Sequence, residues 1–277
     1  MEFSKFEATA NDFIILDGTE KPVSLERSAV VALCERRRGI GADGIILLLP
    51  SDKAHFRMRI FNSDGSEAEM CGNGIRALCL FAMEKGLSSE NAFLVETLAG
   101  IKRVEYRGRK GNEHFFRVDM GVPKLKRGDI PVAGDPDRQA NPVDIPLENG
   151  SEIRAICVSV GNPHCVVFVD DVDSFPVGEI GFELENHPLF PNRTNVEFVQ
   201  VTKDEEIKVR VWERGVGKTM SCGTGACAAL VAANLKGVCK PRAMVNLPGG
   251  ILEVEWLKEV YMTGPARHVF DGVVREW

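Results

Sequence analysis

Met70-Cys71-Gly72-Asn73-Gly74 and Ser221-Cys222-Gly223-Thr224-Gly225 are two versions of one short motif, separated by 151 residues (222 − 71). The same offset joins other segments. Met58-Arg59-Ile60-Phe61-Asn62 matches Val209-Arg210-Val211-Trp212-Glu213 (209 − 58 = 151). Ala10-Asn11-Asp12-Phe13-Ile14-Ile15 matches Gly161-Asn162-Pro163-His164-Cys165-Val166 (161 − 10 = 151). Downstream, Leu98-Ala99-Gly100-Ile101 resembles Pro248-Gly249-Gly250-Ile251 at 150 (250 − 100), a one-residue slip in a loop. Four matches in one register argue for duplication of a supersecondary unit, with a period far too long for a solenoid. Duplication implies a pseudo-twofold axis that brings equivalent residues of the two halves together.

The elements around the motifs follow from pattern. Phe13–Leu16, Ile45–Leu49, His55–Phe61, Cys165–Val169, Val196–Val201 and Lys208–Trp212 are apolar, β-branched-rich runs that predict strands. Ser24 is a candidate N-cap for a helix ending near Arg38, with Gly39 as its stop. Each Cys-Gly-x-Gly element opens a helix. The first runs to Lys85 and the second to Lys236, with Gly86 and Gly237 at the C-cap positions. Neither helix has a clear polar face, and a helix apolar all round must be buried on all sides. The expected fold is α+β: two pseudo-symmetric lobes, each a mostly antiparallel sheet wrapped around a central buried helix. Residues 129–150 hold four prolines and several Asp, Asn and Gly, and are expected to form a long surface loop.

Bulk composition narrows the function classes. The chain has 277 residues, is 44% hydrophobic and carries a net charge of −6. That suits two cores better than one and disfavours a general affinity for nucleic acid or acidic membranes. Arg36-Arg37-Arg38 is better explained by the end of a helix, where cations complement the dipole, than by phosphate binding. No segment approaches the roughly 18 apolar residues of a membrane span, and the N-terminus lacks an apolar stretch of signal length. The expected compartment is the cytoplasm. The eight cysteines form no Cys-x-x-Cys pair and stand beside only five His, which argues against a structural zinc site. Most are expected to be small buried hydrophobes.

Cys71 and Cys222 are different, because packing does not demand a thiol at both symmetric positions. Each stands at the first turn of a helix, where backbone N–H groups and the positive end of the dipole lie. A thiol there is expected to have its pKa drawn down from about 8.5. The following glycines let a carboxylate approach the N–H groups. Removing the weakly acidic α-hydrogen of an amino acid needs stabilisation where charge develops, at the carboxylate. Two helix termini supply it. One thiolate takes the proton and the opposite thiol delivers another to the other face, with no carbonyl cofactor. Neither element is a dinucleotide or P-loop motif, since the third Gly of the one and the Gly-Lys-Ser/Thr of the other are missing.

At these residues the sequence resembles the diaminopimelate epimerase family, over nearly the whole chain. Matching segments include Asn11-Asp12-Phe13, Gly39-Ile40-Gly41-Ala42-Asp43-Gly44, Phe61-Asn62-Ser63-Asp64-Gly65, Gly161-Asn162-Pro163-His164, Arg193-Thr194-Asn195-Val196, Trp212-Glu213-Arg214-Gly215, both Cys motifs and Leu247-Pro248-Gly249-Gly250. The resemblance implies interconversion of LL- and meso-diaminopimelate, in lysine and peptidoglycan precursor synthesis, without pyridoxal phosphate or metal. It implies that Cys71 and Cys222 are the acid/base pair, and that His164 and Glu213 support them. Backbone N–H groups of Gly72, Asn73, Gly223 and Thr224 are implied to hold the reacting carboxylate. Asn11, Asn62, Asn162, Asn195, Glu213 and Arg214 are implied to bind the substrate, Arg214 and the amides chiefly at its distal end. The physical reading agrees for Arg214, whose guanidinium forks onto a carboxylate.

The resemblance also implies a homodimer with Phe270 at its contact. It implies a first lobe of residues 1–118 plus 264–277 and a second of 119–263, with the active site in the cleft between them. Three positions depart from the family pattern. Ala8-Thr9-Ala10 replaces a Gly-rich run, Gly44 stands where some members have Gln, and Phe270 where members often have Tyr. The rival expectations are a proline- or histidine-type racemase on the same fold, a thiol redox protein, and a non-catalytic amino-acid-binding protein. Arg214 and the Asn set favour a substrate with a second charged end.

Overall fold

The structure, a computed structural model, describes residues 1–87 and 91–275; residues 276–277 of the expected first lobe lie outside it. The chain forms two compact units, Met1–Asp119 with Thr263 onward, and Met120–Met262.

The first unit contains β1 (Glu2–Ala8), β2 (Asn11–Asp17), α1 (Arg27–Cys34), β3 (Gly44–Leu49), β4 (Phe56–Asn62), β5 (Glu67–Ala68), α2 (Gly72–Glu84), β6 (Ala92–Thr97), β7 (Gly100–Lys110) and most of β8 (Glu113–Gly121). Strand β2 runs antiparallel to β1 and parallel to β3, and β3 is antiparallel to β4. Strand β4 continues parallel to β6, and β6–β7–β8 is an antiparallel meander. The second unit contains β9 (Val143–Pro146), β10 (Glu152–Ser159), β11 (Pro163–Phe168), α3 (Val177–Glu185), β12 (Asn195–Lys203), β13 (Glu206–Glu213), β14 (Gly217–Thr219), α4 (Gly223–Leu235), β15 (Arg242–Leu247), β16 (Gly250–Trp256) and the start of β17 (Val260–Val273). Its pairings repeat the first, with β11 parallel to β12, β12 antiparallel to β13, and β13 parallel to β15.

The repeat holds at the level of single residues. Phe13 pairs with Gly44 and His164 with Asn195 (164 − 13 and 195 − 44 are both 151). Ile45 pairs with Phe61 and Val196 with Trp212, again 151 apart in each case (196 − 45, 212 − 61). Thr97 pairs with Gly100 and Leu247 with Gly250, at the slipped offset of 150 (247 − 97, 250 − 100).

Each sheet curves around one helix. Residues Gly72 to Ala82 of α2 are all buried, and α2 packs on β1, β2, β3, β4 and β7. Residues Gly225 to Ala233 of α4 are all buried, and α4 packs on β10, β11, β12, β13, β15 and β16. Both helices end in the same way. Leu87 N–H bonds to Ala82 O and Gly86 N–H to Met83 O, with Gly86 at φ +69°. Val238 N–H bonds to Ala233 O and Gly237 N–H to Asn234 O, with Gly237 at φ +76°. These left-handed glycines satisfy the last carbonyls as a Schellman cap does. The opposite face of each sheet is covered separately: α1 buries Val30, Leu33 and Cys34 against Ile14, Leu16, Ile45 and Leu47, while in the second unit Ile180 and Leu184 of α3 join Phe198 and Val167.

Two local expectations need correction. The first helix spans Arg27–Cys34, with Glu26 rather than Ser24 at its N-cap. It ends early because Glu35 folds back: its carboxylate accepts from the N–H groups of Arg37 and Arg38, and Gly39 N–H bonds to Glu35 O. Arg36 lies beyond the helix and grips Asp12 and Asp43. Residues 129–150 are not all surface loop. Val143 and Ile145 are buried and pair through β9 with β10, alternating with exposed Asp144 and Pro146.

The Ala8-Thr9-Ala10 departure shows its consequence in the β1–β2 hairpin. Ala8 pairs with Asn11, leaving a two-residue turn whose members Thr9 (φ +55°) and Ala10 (φ +61°) are both left-handed. Such turns match the strand twist and favour Asn and Gly; a Cβ in that region costs roughly 1–2 kcal/mol. The repeat-related residue of Ala10, Gly161 (φ +109°), carries no such cost. Ala10→Gly is therefore expected to stabilise the protein by about 0.5–1 kcal/mol, after glycine's extra freedom in the unfolded chain. A thermal midpoint that fell in this variant would contradict it.

Candidate active site

Cys71 is the N-cap of α2. Its backbone is extended (φ −136°, ψ 120°), and its Sγ accepts from Gly74 N–H at 3.4 Å. Cys222 is the N-cap of α4 with nearly the same backbone (φ −130°, ψ 114°), and its Sγ accepts from Gly225 N–H at 3.4 Å. A helix cannot satisfy its own first N–H groups. Here the thiol takes the third, and the helical ladder itself begins with Ile75 N–H to Cys71 O and Ala226 N–H to Cys222 O.

In the first unit a polar cluster surrounds the thiol. Asn11 Oδ1 faces Cys71 Sγ at 3.8 Å and accepts from Asn73 Nδ2 at 3.5 Å. Its own amide nitrogen donates to Asp43 Oδ2 at 2.7 Å. Beneath lies Arg76, fully buried at 0% exposure. Its guanidinium donates to Gly72 O at 2.9 Å, Asn73 Oδ1 at 3.0 Å, Thr9 Oγ1 at 2.6 Å and Pro265 O at 3.1 Å. It thereby ties Gly72 and Asn73 to the hairpin turn and to β17. Asn62 is exposed at the end of β4 and donates to Ser66 Oγ at 3.0 Å; no described hydrogen bond joins it to the thiol.

The second unit places its residues differently. His164 on β11 is fully buried; Nδ1 lies 2.7 Å from Glu197 Oε1 and Nε2 lies 2.8 Å from Asn162 Oδ1. Asn162 donates to Thr224 Oγ1 at 3.3 Å, and Thr224 Oγ1 lies 3.4 Å from Cys222 Sγ. Glu213, at the end of β13, faces Thr219 and Cys222, and burial raises its pKa. Asn195 uses its amide on backbone, donating to Pro163 O at 2.9 Å and accepting from Arg214 N–H at 2.9 Å. It holds the turn on which Arg214 stands. The Arg214 side chain is exposed, and Nη1 donates to Asn192 O at 3.0 Å.

The expectation of a depressed thiol pKa does not hold for Cys222. Burial pushes it well above its ordinary value, and the charges of Glu213 and Glu197 push the same way, outweighing the hydrogen bonds from Thr224 and Gly225. The helix terminus alone does not win against desolvation and two carboxylates. Cys222 therefore rests as a thiol. Burial likewise holds Cys79 protonated and pushes Cys34 up to about 11, as suits packing residues.

Sequence reasoning passed over two residues of these sites. Arg76 sits inside an apolar helical run, Ile75-Arg76-Ala77-Leu78, and Glu197 inside an apolar strand, Val196-Glu197-Phe198-Val199. In each case the signal was a lone charge where burial was already expected, which demands specific partners.

Comparison with known proteins bears on these sites. The family model described as "Diaminopimelate epimerase" matches residues 3–126 and 156–269. A diaminopimelate epimerase of Pelotomaculum thermopropionicum is 50% identical over 277 residues, covering 98% of each chain. One from Moorella thermoacetica is 51% identical over 278 residues, with 98% of each chain covered. Among solved structures, a phenazine biosynthesis protein of the PhzF family from Bacillus anthracis superposes with a TM-score of 0.71 at 18% identity, covering 100% of this chain and 99% of its own. A probable proline racemase from Agrobacterium radiobacter superposes at 0.69 with 16% identity, over 99% and 92% of the two chains. At that identity the two structures share the fold alone.

Proposed function

The chain belongs to the diaminopimelate epimerase family, and we propose that it interconverts LL- and meso-diaminopimelate with Cys71 and Cys222 as its two bases. The observation that carries this reading is the duplicated half-site: a thiol-capped, glycine-lined helix N-terminus in each repeat, at equivalent strand register. By the symmetry of the repeat, the two half-sites serve one substrate. The helix termini bind the reacting carboxylate through the N–H groups of Gly72, Asn73, Gly223 and Thr224. They stabilise the charge that develops on it as the α-proton leaves. One sulfur removes that proton while the other, already protonated, delivers its own to the opposite face. The proton inventory is restored by exchange with water. This chemistry asks nothing of a cofactor.

Asn11 faces the Cys71 sulfur and its repeat partner Asn162 bonds Thr224 next to Cys222, and their amides suit the substrate's charged groups. Arg214 offers the fork for the distal carboxylate, and Glu213 a carboxyl beside Cys222 and an acceptor for an ammonium. Exposed apolar residues of β17, Val269 (50%), Phe270 (47%) and Val273 (65%), support a homodimer with Phe270 in its contact. A reducing cytoplasm is the compartment that suits this thiol chemistry.

The test is direct. Purified protein incubated with LL-diaminopimelate, with chelator present and no pyridoxal phosphate, is expected to form the meso isomer, resolved by chiral chromatography. L-Proline treated in the same way is expected to remain L. Racemisation of proline with inert diaminopimelate would transfer the chain to the rival specificity.

A further inference from the structure

The second unit holds a line of polar groups whose two buried members, His164 and Glu197, have apolar residues at the repeat-related positions of the first. Glu197 and His164 are both fully buried, at 0% exposure. Their repeat-related positions are the apolar Ile46 and Phe13 (197 − 151, 164 − 151), also buried. A Cβ at Gly74 would meet the methyl groups of Ile46 and Ile60, whereas one at Gly225 would come within 2.7 Å of Glu197 Oε1. Gly225 is thus what lets a carboxyl group lie against the start of α4. Only one carboxyl oxygen is engaged; Oε2 has no hydrogen-bond partner among the described residues.

The donors and acceptors give the line a direction. Asn162 presents its oxygen to His164 Nε2, so Nε2 carries a proton. The Asn162 amide nitrogen then faces Thr224, whose oxygen accepts from it. With Asn162 donating to its oxygen, Thr224 has its hydroxyl hydrogen available for the sulfur of Cys222, 3.4 Å away, where either atom can be the donor. A donor aimed at sulfur favours the thiolate, the form Cys222 must reach in one direction of turnover.

We propose that Glu197 is a positioning residue for the second thiol: its carboxylate accepts from His164 Nδ1–H and so favours the doubly protonated ring, whose Nε2–H holds the Asn162 oxygen and through it turns the Thr224 hydroxyl toward Cys222 as a donor. The proposal rests on the two-thiol reading for its consequence in turnover, but not for its chemistry. The charged groups facing Cys222 are Glu213 on β13 and Glu197 on β12, and His164 on β11 adds its charge at Glu213. As a bare charge Glu197 disfavours the thiolate; as the anchor of the line it favours it. The two roles predict opposite signs.

The probe is alkylation of the resting protein by iodoacetamide at pH 8, with each cysteine followed by peptide mass spectrometry. Glu197→Met, which keeps the length and loses the hydrogen bond, is expected to slow Cys222 alkylation about tenfold, the effect of one lost hydrogen bond to an ion. Cys71 is expected to react at its original rate. Glu197→Gln, which can still bond Nδ1, is expected to stay within about twofold of wild type. In a Thr224→Val background, which lacks the last donor, Glu197→Met should have no further effect. With diaminopimelate, Glu197→Met should lower kcat about tenfold and leave KM within twofold.

Faster alkylation in Glu197→Met, or a loss that persists beside Thr224→Val, overturns the proposal. If Glu197→Met does not fold, nitrogen-15 NMR of His164 in the wild-type chain decides: a protonated Nε2 supports the line and a bare Nε2 overturns it. A protein that shows the alkylation pattern but leaves diaminopimelate unchanged keeps the relay and loses the substrate.

Discussion

Cys71→Ala and Cys222→Ala are each expected to lower kcat for epimerisation by about 10²–10⁴-fold, the range for loss of a positioned proton-transfer group. Each thiol caps a helix through its Sγ, but the cap is a 3.4 Å contact to one N–H, so far-ultraviolet circular dichroism should be unchanged. The two variants are not expected to be dead in the same way. Cys222→Ala keeps the thiol that faces one side of the α-carbon, and should still exchange the α-hydrogen of one stereoisomer with solvent, without inversion. Cys71→Ala should exchange only the other. Proton NMR in deuterated water reads this directly. Exchange of both stereoisomers by one variant would mean that a single base reaches both faces.

Arg214→Met is expected to lower kcat/KM for LL-diaminopimelate roughly 30-fold to several thousand-fold, from a loss of about 2–5 kcal/mol for a charged pair left without its partner. The side chain is exposed on the turn after β13 and spends one guanidinium nitrogen on the carbonyl of Asn192. The rest of its fork is open to a carboxylate. Asn195 anchors the same turn through the Arg214 N–H, so Asn195→Ala should copy part of the defect without removing the charge. A loss of less than about threefold for Arg214→Met would mean that this residue does not read the distal carboxylate.

Much of the architecture was legible because it is written twice. The offset of 151 residues predicted paired helices with thiols at their starts, and strand register reproduces that offset residue by residue. The glycine stops at Gly86 and Gly237 were equally plain, since left-handed backbone at a helix end favours glycine. Other features were hidden for physical reasons. The early end of α1 depends on the Glu35 carboxylate capturing two N–H groups, a choice that helix propensity does not report. Strand β9 has only two inward residues, Val143 and Ile145, within a segment otherwise rich in turn formers.

At the site, repeat logic located the thiols but not their environments. The first half places buried Arg76 under its helix start, and the second places Glu197 and His164. The repeat partner of Arg76 is Cys227 (227 − 76 = 151), so the asymmetry lies in residues that duplication would have made alike. Whether a thiol at a helix start is acidic depends on those neighbours and on burial, which is why the depressed pKa expected for Cys222 gives way to a raised one. Asn195 carried a similar lesson. An amide beside a site can serve the backbone that shapes it, as its bonds to Pro163 and Arg214 show.

In the proposed reaction two thiols share the work, one for each face of the substrate. Protein equilibrated in deuterated water and mixed with a limiting amount of LL-diaminopimelate tests it in a single turnover. The first meso product is expected to carry deuterium at the inverted carbon while the remaining LL substrate carries almost none, because the abstracting and delivering sulfurs are different atoms. Product that retains the original hydrogen at that carbon would show one base serving both faces, and would contradict the assignment of Cys71 and Cys222 to separate roles.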